Sequence, residues 1–180
     1  MSTNSFLVAV QTRAARISVS ASATRKQGGG IIEPARGFLA QLELKEFATA
    51  RESLFRTRLD KTTQDLAKTF PVGSRSWGLA RKLLNIFLRD ALYTSYLRDH
   101  FQLQRSEDFL EVPLDSISAG RIYKEANRGE LPRWPGVKHN TEEVSALYQS
   151  FASKLAVRSG LARVHLDTYW WGERGAANEA

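Results

Sequence analysis

Cysteine is absent from this 180-residue chain, and that absence alone excludes disulfides, structural zinc fingers, iron–sulfur clusters and thiol nucleophiles. Histidine is scarce: His100, His139 and His165 are scattered without ligand spacing, so neither a metal centre nor any other cofactor is expected. Long apolar runs are missing too. None approaches the roughly 18 residues that a spanning helix needs, so no membrane partner is expected. Acidic residues are lacking from 1–30, a segment that carries Arg13, Arg16, Arg25 and Lys26 and ends in Gly28-Gly29-Gly30. With thiols and metal ligands removed, the chemistry must come from Lys, Asp, Glu, Ser, Tyr and Trp.

What is present suits one globular domain or two small lobes. Hydrophobic residues make up 42% and charged residues 25%, ordinary values for a soluble fold. Lys and Arg number 26 against 19 Asp and Glu, a net charge of +7. That excess is compatible with a polyanionic partner such as nucleic acid, and equally with solubility alone.

The hydrophobic spacing is helical almost throughout. Residues 1–30 read as a basic arm or first helix, with a composition that also resembles an organelle transit peptide. No alternating strand pattern occurs outside the short stretch Ile17 to Ala23. Apolar residues at helical spacing from Pro34 to Phe70 predict one or two amphipathic helices. The turn Pro71-Val72-Gly73-Ser74-Arg75-Ser76 interrupts them, and Ser76 can cap a helix from Trp77 to Leu97. That helix is apolar around most of its circumference, with a narrow polar arc of Arg81, Lys82, Asn85 and Arg89, so it is expected at the centre of the core. Asp115 can cap a helix running to about Asn127, Thr141 a helix ending at Gly160, and a last element covers Leu161 to Gly172.

Four features carry candidate chemistry, each beside a plainer reading. The turn before Trp77 can aim helix N-terminal amides at a phosphate, or simply join two helices. Lys82 borders an apolar surface with Arg81 and Arg89 nearby, the setting of an amine nucleophile, or it buries its stem and keeps its ammonium wet. Asp115 can serve a ligand at a helix N-terminus, or only cap. Asp167 and Trp171, four apart, share a helix face and can hydrogen-bond and stack a flipped purine, or the tryptophans are packing anchors.

In order and spacing these features resemble the helix-hairpin-helix DNA glycosylases, specifically 8-oxoguanine glycosylases of the archaeal GO-glycosylase type and their bacterial relatives. The residues concerned are Phe70-Pro71-Val72-Gly73 through Trp77-Gly78, the helix Leu79-Ala80-Arg81-Lys82-Leu83-Leu84-Asn85, the turn Pro113-Leu114-Asp115-Ser116, and Leu166-Asp167-Thr168-Tyr169-Trp170-Trp171. Coverage runs from about Ala67 to Gly172. Lys82 and Asp115, 33 residues apart, match in order the family's nucleophile and its assisting aspartate.

The resemblance implies an all-α helical bundle, two small lobes around a cleft, with the hairpin at about 67–90 inside a domain spanning 31–180. It implies removal of an oxidised purine by attack of Lys82 on the sugar C1′, followed by β-elimination, with Asp115 catalytic and Asp167 and Trp171 binding the base. Gly73, Arg75, Gly78 and Arg81 are then the expected contacts to the DNA backbone. The implied partner is double-stranded DNA containing a damaged base, bound by a monomer in a nucleoid-associated, cytoplasmic setting. On residues alone, a non-enzymatic α-helical DNA-binding or regulatory protein, or a helical module using its tryptophans for protein contacts, stands beside this reading.

Overall fold

Stretches free of proline and glycine become the long helices of the computed structural model, which describes residues 3–170. They are α1 (Thr3–Ser18), α3 (Glu52–Thr69) and α7 (Glu142–Arg158). Between them lie α2 (Ile32–Ala40), α4 (Trp77–Tyr93), α5 (Ser95–Phe101) and α6 (Ser118–Glu125). Short 3-10 turns cover Leu44–Phe47, Val72–Ser74, Leu103–Phe109 and Val137–His139, and residues 165–170 are helical. The architecture is all-α, with no strand among the described residues. Ile17 to Ala23 forms none either: α1 runs through Ser18 and turns follow, since no second strand is available and local bonds such as Thr24 N–H to Ser20 O, 3.1 Å, satisfy the backbone.

The predicted caps are in place. Ser76 Oγ accepts from Leu79 N–H at 3.2 Å and opens α4, and Thr141 Oγ1 accepts from Val144 N–H at 3.3 Å and opens α7. Glu142 and Glu143 in the first turn of α7 and Arg158 in its last complement the helix dipole. Gly160 then stops the helix with φ of 66°, a conformation that costs a side-chain-bearing residue about 1–2 kcal/mol.

Helix α4 is the centre, packed by α1, α3 and α5 and touched by α7. It buries Leu79, Leu83, Leu84, Phe87 and Leu88, each such side chain contributing roughly 1.5–3 kcal/mol. These belong to a larger apolar cluster that also takes Leu7, Ala14, Ala15 and Val19. The basic N-terminal segment is thus part of the same core as α4. A second apolar cluster joins Val112 and Leu114 to α6, α7 and the last helical turns, with Tyr148, Phe151, Leu166 and Trp170 inside it.

Candidate active site

Lys82 leaves the face of α4 that lies between the two apolar clusters. Its side chain is about 10% exposed and stands 3.6 Å from Asp115 (Nζ to Oδ2). The ammonium also donates to the carbonyl of Ala23 at 3.1 Å. Asp115 is held by the turn that the Pro113-Leu114-Asp115-Ser116 sequence builds. Its Oδ1 accepts from the backbone N–H groups of Ile117 (2.8 Å) and Ser118 (3.1 Å), capping α6. Ser118 Oγ in turn accepts from Asp115 N–H at 2.9 Å and donates to Pro113 O at 2.7 Å. One carboxylate oxygen is therefore spent on the cap and the other faces Lys82.

Asp167 comes from the helical segment 165–170 and is buried. Its carboxylate accepts a hydrogen bond from Arg89, which also donates to Asp90 Oδ1 at 2.9 and 3.1 Å. Burial, aided by the like charge of Asp115, holds the Asp167 carboxyl above the usual carboxylate range, against the opposing pull of Arg89 and Lys82. Lys82, Asp115, Asp167 and Arg89 line one cavity of about 940 Å³, with Trp134 and Gln27 also in its wall. Trp134 packs edge-on against Tyr148 at 5.3 Å, and its indole N–H is buried without a protein partner. Trp171 lies outside the described residues; its neighbour Trp170 is a core anchor.

Two expected DNA-backbone contacts are corrected. Arg81, one residue before Lys82, turns the other way into the protein. Its guanidinium donates to both oxygens of Glu111 (2.8 and 3.0 Å), to Asp60 (2.8 Å) and to Thr63 (2.9 Å), with Asn85 also donating to Glu111 at 3.1 Å. No phosphate can reach it, and it is not the cationic neighbour of Lys82 that the sequence suggests. Although burial resists its ionisation, the charges and hydrogen bonds of Arg81, with Arg163 and Asn85, hold Glu111 below its ordinary value.

Gly78 likewise faces protein. A side chain there would meet the Val137 carbonyl at 2.2 Å and Asn140 Cβ at 2.7 Å, so glycine serves the close seating of α4 on the loop at 137–140. Gly73 is exposed with open space around it. Arg75 is exposed as well, but it donates to the carbonyls of Phe70 and Lys68, both at 3.3 Å, and closes the end of α3.

Of two residues that organise the surroundings of the site, the sequence marks Arg89 only as a cationic neighbour of Lys82 and does not mark Glu111 at all. Arg89 follows Lys82 by seven positions, two turns along one helix face, a signal that periodicity carries. Glu111 had no such signal, since nothing local announces that it pairs with α4 some 30 residues away. No helix among the described residues is long and apolar enough to cross a membrane. In comparisons with known proteins, no family model, curated protein or solved structure matches the chain.

Proposed function

We propose that this chain is a DNA glycosylase with abasic-site lyase activity, acting on an oxidised purine such as 8-oxoguanine. The observation that carries the reading is the approach of Lys82 and Asp115 to 3.6 Å on the wall of a cavity that also takes Asp167. Two residues far apart in the chain, singled out as nucleophile and assistant, face each other, and the third shares their cavity. A cavity of about 940 Å³ has room for a flipped nucleotide. In this reading the cavity is the cleft between the two lobes, and Gly73 and Arg75 remain as surface contacts for the DNA backbone of a monomer's substrate.

In the resting arrangement Lys82 is an ammonium bonded to Ala23 and facing Asp115. For attack it must first give up a proton, and Asp115 Oδ2 is the acceptor at hand. The neutral amine then attacks C1′ as the bond between C1′ and the base nitrogen breaks. The base leaves with that electron pair and takes the proton that Asp115 received from Lys82, and the restored Asp115 carboxylate stabilises the positive charge developing on the sugar. Opening of the sugar ring gives a Schiff base on Lys82. Loss of a C2′ proton and departure of the 3′ phosphate complete β-elimination. Asp167 meets the base: its raised affinity for a proton suits it to hydrogen-bond a purine edge as acceptor or, when protonated, as donor. Trp134 supplies an aromatic wall.

Borohydride trapping on a duplex containing 8-oxoguanine tests the reading. A covalent adduct forms with the native protein and disappears in Lys82→Gln; absence of any adduct with the native protein removes the lyase mechanism. One observation favours a second reading. The bond from Lys82 to Ala23 also makes the lysine a tether for the segment after α1 in a non-enzymatic DNA-binding protein. In that case Lys82→Gln weakens binding to intact and damaged duplexes alike, with no preference for the lesion.

A further inference from the structure

The helical segment that carries Asp167 is held against the rest of the protein by polar side chains outside the site itself. Arg163 ties its start to the end of the 3-10 turn, donating to the carbonyls of Leu110 (3.0 Å) and Phe109 (2.8 Å) and to Ser153 on α7 (3.1 Å). Two residues on, His165 bridges two elements. Its Nε2 lies 2.8 Å from Glu107, in the 3-10 turn Leu103–Phe109, and its Nδ1 lies 2.8 Å from the hydroxyl of Tyr93, the last residue of α4. A carboxylate only accepts, so His165 Nε2–H donates to Glu107. The Tyr93 hydroxyl is also 3.3 Å from that of Thr168, and the Tyr93 and His165 rings lie nearly parallel, 5.6 Å apart. Asp167 sits between His165 and Thr168 in sequence. Tyr93 stands on the same α4 face as Lys82 and Arg89 and reaches the cavity.

We propose that Glu107, His165 and Tyr93 form a clamp that supports base release, by fixing the rotation and height of the segment that presents Asp167 opposite Lys82 and Asp115. This rests on the glycosylase reading. The groups touching the base are Asp167 and the cavity wall, to which the Tyr93 ring belongs; Glu107, His165 and the Tyr93 hydroxyl are positioning groups that decide whether Asp167 meets the base in register. Half-exposed Tyr93 contributes little to the core, and its hydroxyl is the part of the clamp that can be removed most cleanly.

Two substrates separate the clamp from the nucleophile. Release of 8-oxoguanine from a duplex needs Asp167 in place; borohydride trapping on a duplex with a preformed abasic site needs only Lys82 and Asp115. Tyr93→Phe is expected to slow base release on the order of tenfold, the worth of one or two lost hydrogen bonds, while abasic-site trapping stays within about twofold. Glu107→Ala does the same, and Glu107→Gln, which keeps the acceptor oxygen, restores the native ratio. Equal losses on both substrates, or no loss on either, overturn the clamp while leaving Lys82 as nucleophile. If the native protein forms no adduct on the abasic duplex, the lysine mechanism falls, and the clamp's role in base release falls with it.

Discussion

Neighbouring residues on α4 have opposite fates. Arg81 and Lys82 are separated by one residue, about 100° of helix, and one becomes the buried partner of Glu111 while the other faces the cavity. Arg81→Met would strand the Glu111 carboxylate in the interior, an uncompensated charge worth about 3–5 kcal/mol. Urea unfolding is expected to register a loss of that size, and the double change Arg81→Met with Glu111→Leu to recover most of it.

Asp167 makes the opposite case. Its carboxyl, held above the ordinary value of 3.8 by burial and by Asp115, binds its proton more tightly folded than unfolded. Its contribution to stability is therefore complete below 3.8 and is lost as the pH rises through the elevated folded value. Glu111, depressed below 4.5, titrates with the other sign and loses its contribution as the pH falls. The informative quantity is the difference between Asp167→Asn and the native protein: the variant is expected to gain relative stability from pH 3.8 upwards and then level off, measured by denaturant unfolding across that range. A flat difference would mean that Arg89 fully compensates the buried charge.

At the scale of the element, the turn before α6 does two jobs with one side chain. Asp115 Oδ1 caps the helix and Oδ2 faces Lys82. Asp115→Ala removes both and is expected to cost about 1 kcal/mol of stability. Asp115→Asn keeps an acceptor for the cap and stays within about 0.5 kcal/mol, yet slows adduct formation by roughly a hundredfold or more because the proton acceptor is gone. Thermal unfolding and borohydride trapping on the same two variants separate the roles. Several element boundaries are legible in the sequence: Ser76, Thr141, Gly160 and the Pro71 turn are local signals read by the backbone itself, whereas the helix expected from Trp77 to Leu97 breaks at Thr94 into α4 and α5. The expected closing element from Leu161 resolves differently. Residues 161–164 form a turn pinned by Arg163, and the helix begins at 165, because the buried carbonyls of Phe109 and Leu110 claim the Arg163 guanidinium.

For the whole molecule, the placement of the N-terminal segment has the widest consequences. Read as a basic arm or first helix, it is a helix that buries Leu7, Ala14 and Ala15 in the principal core. Buried Gln11 spends its amide on the carbonyls of Leu39 (3.1 Å), near the end of α2, and Leu42 (2.8 Å), just beyond it. The Ala23 carbonyl reaches Lys82 from the same segment. Removal of residues 1–30 is thus expected to cost the cooperative unfolding transition as well as adduct formation; a truncated protein that melts sharply would show the segment to be dispensable. Its arginines obscured this role, since Arg13 and Arg16 are exposed on the outer face while the apolar stripe between them points inward.

The sequence by itself determined an all-helical chain, its caps and breaks, and the exclusion of thiol chemistry, because these depend on residue type and on contacts within a few positions. It also marked Lys82, Asp115 and Asp167 through their order along the chain. Only the tertiary structure decided that these three share a cavity, that Arg81 and Gly78 face protein, and that Glu107, His165 and Tyr93 meet around the segment carrying Asp167. The physical reason is the same throughout. Which partner a polar side chain finds depends on which distant element covers its face of the helix, and helical periodicity specifies the face without naming its neighbour.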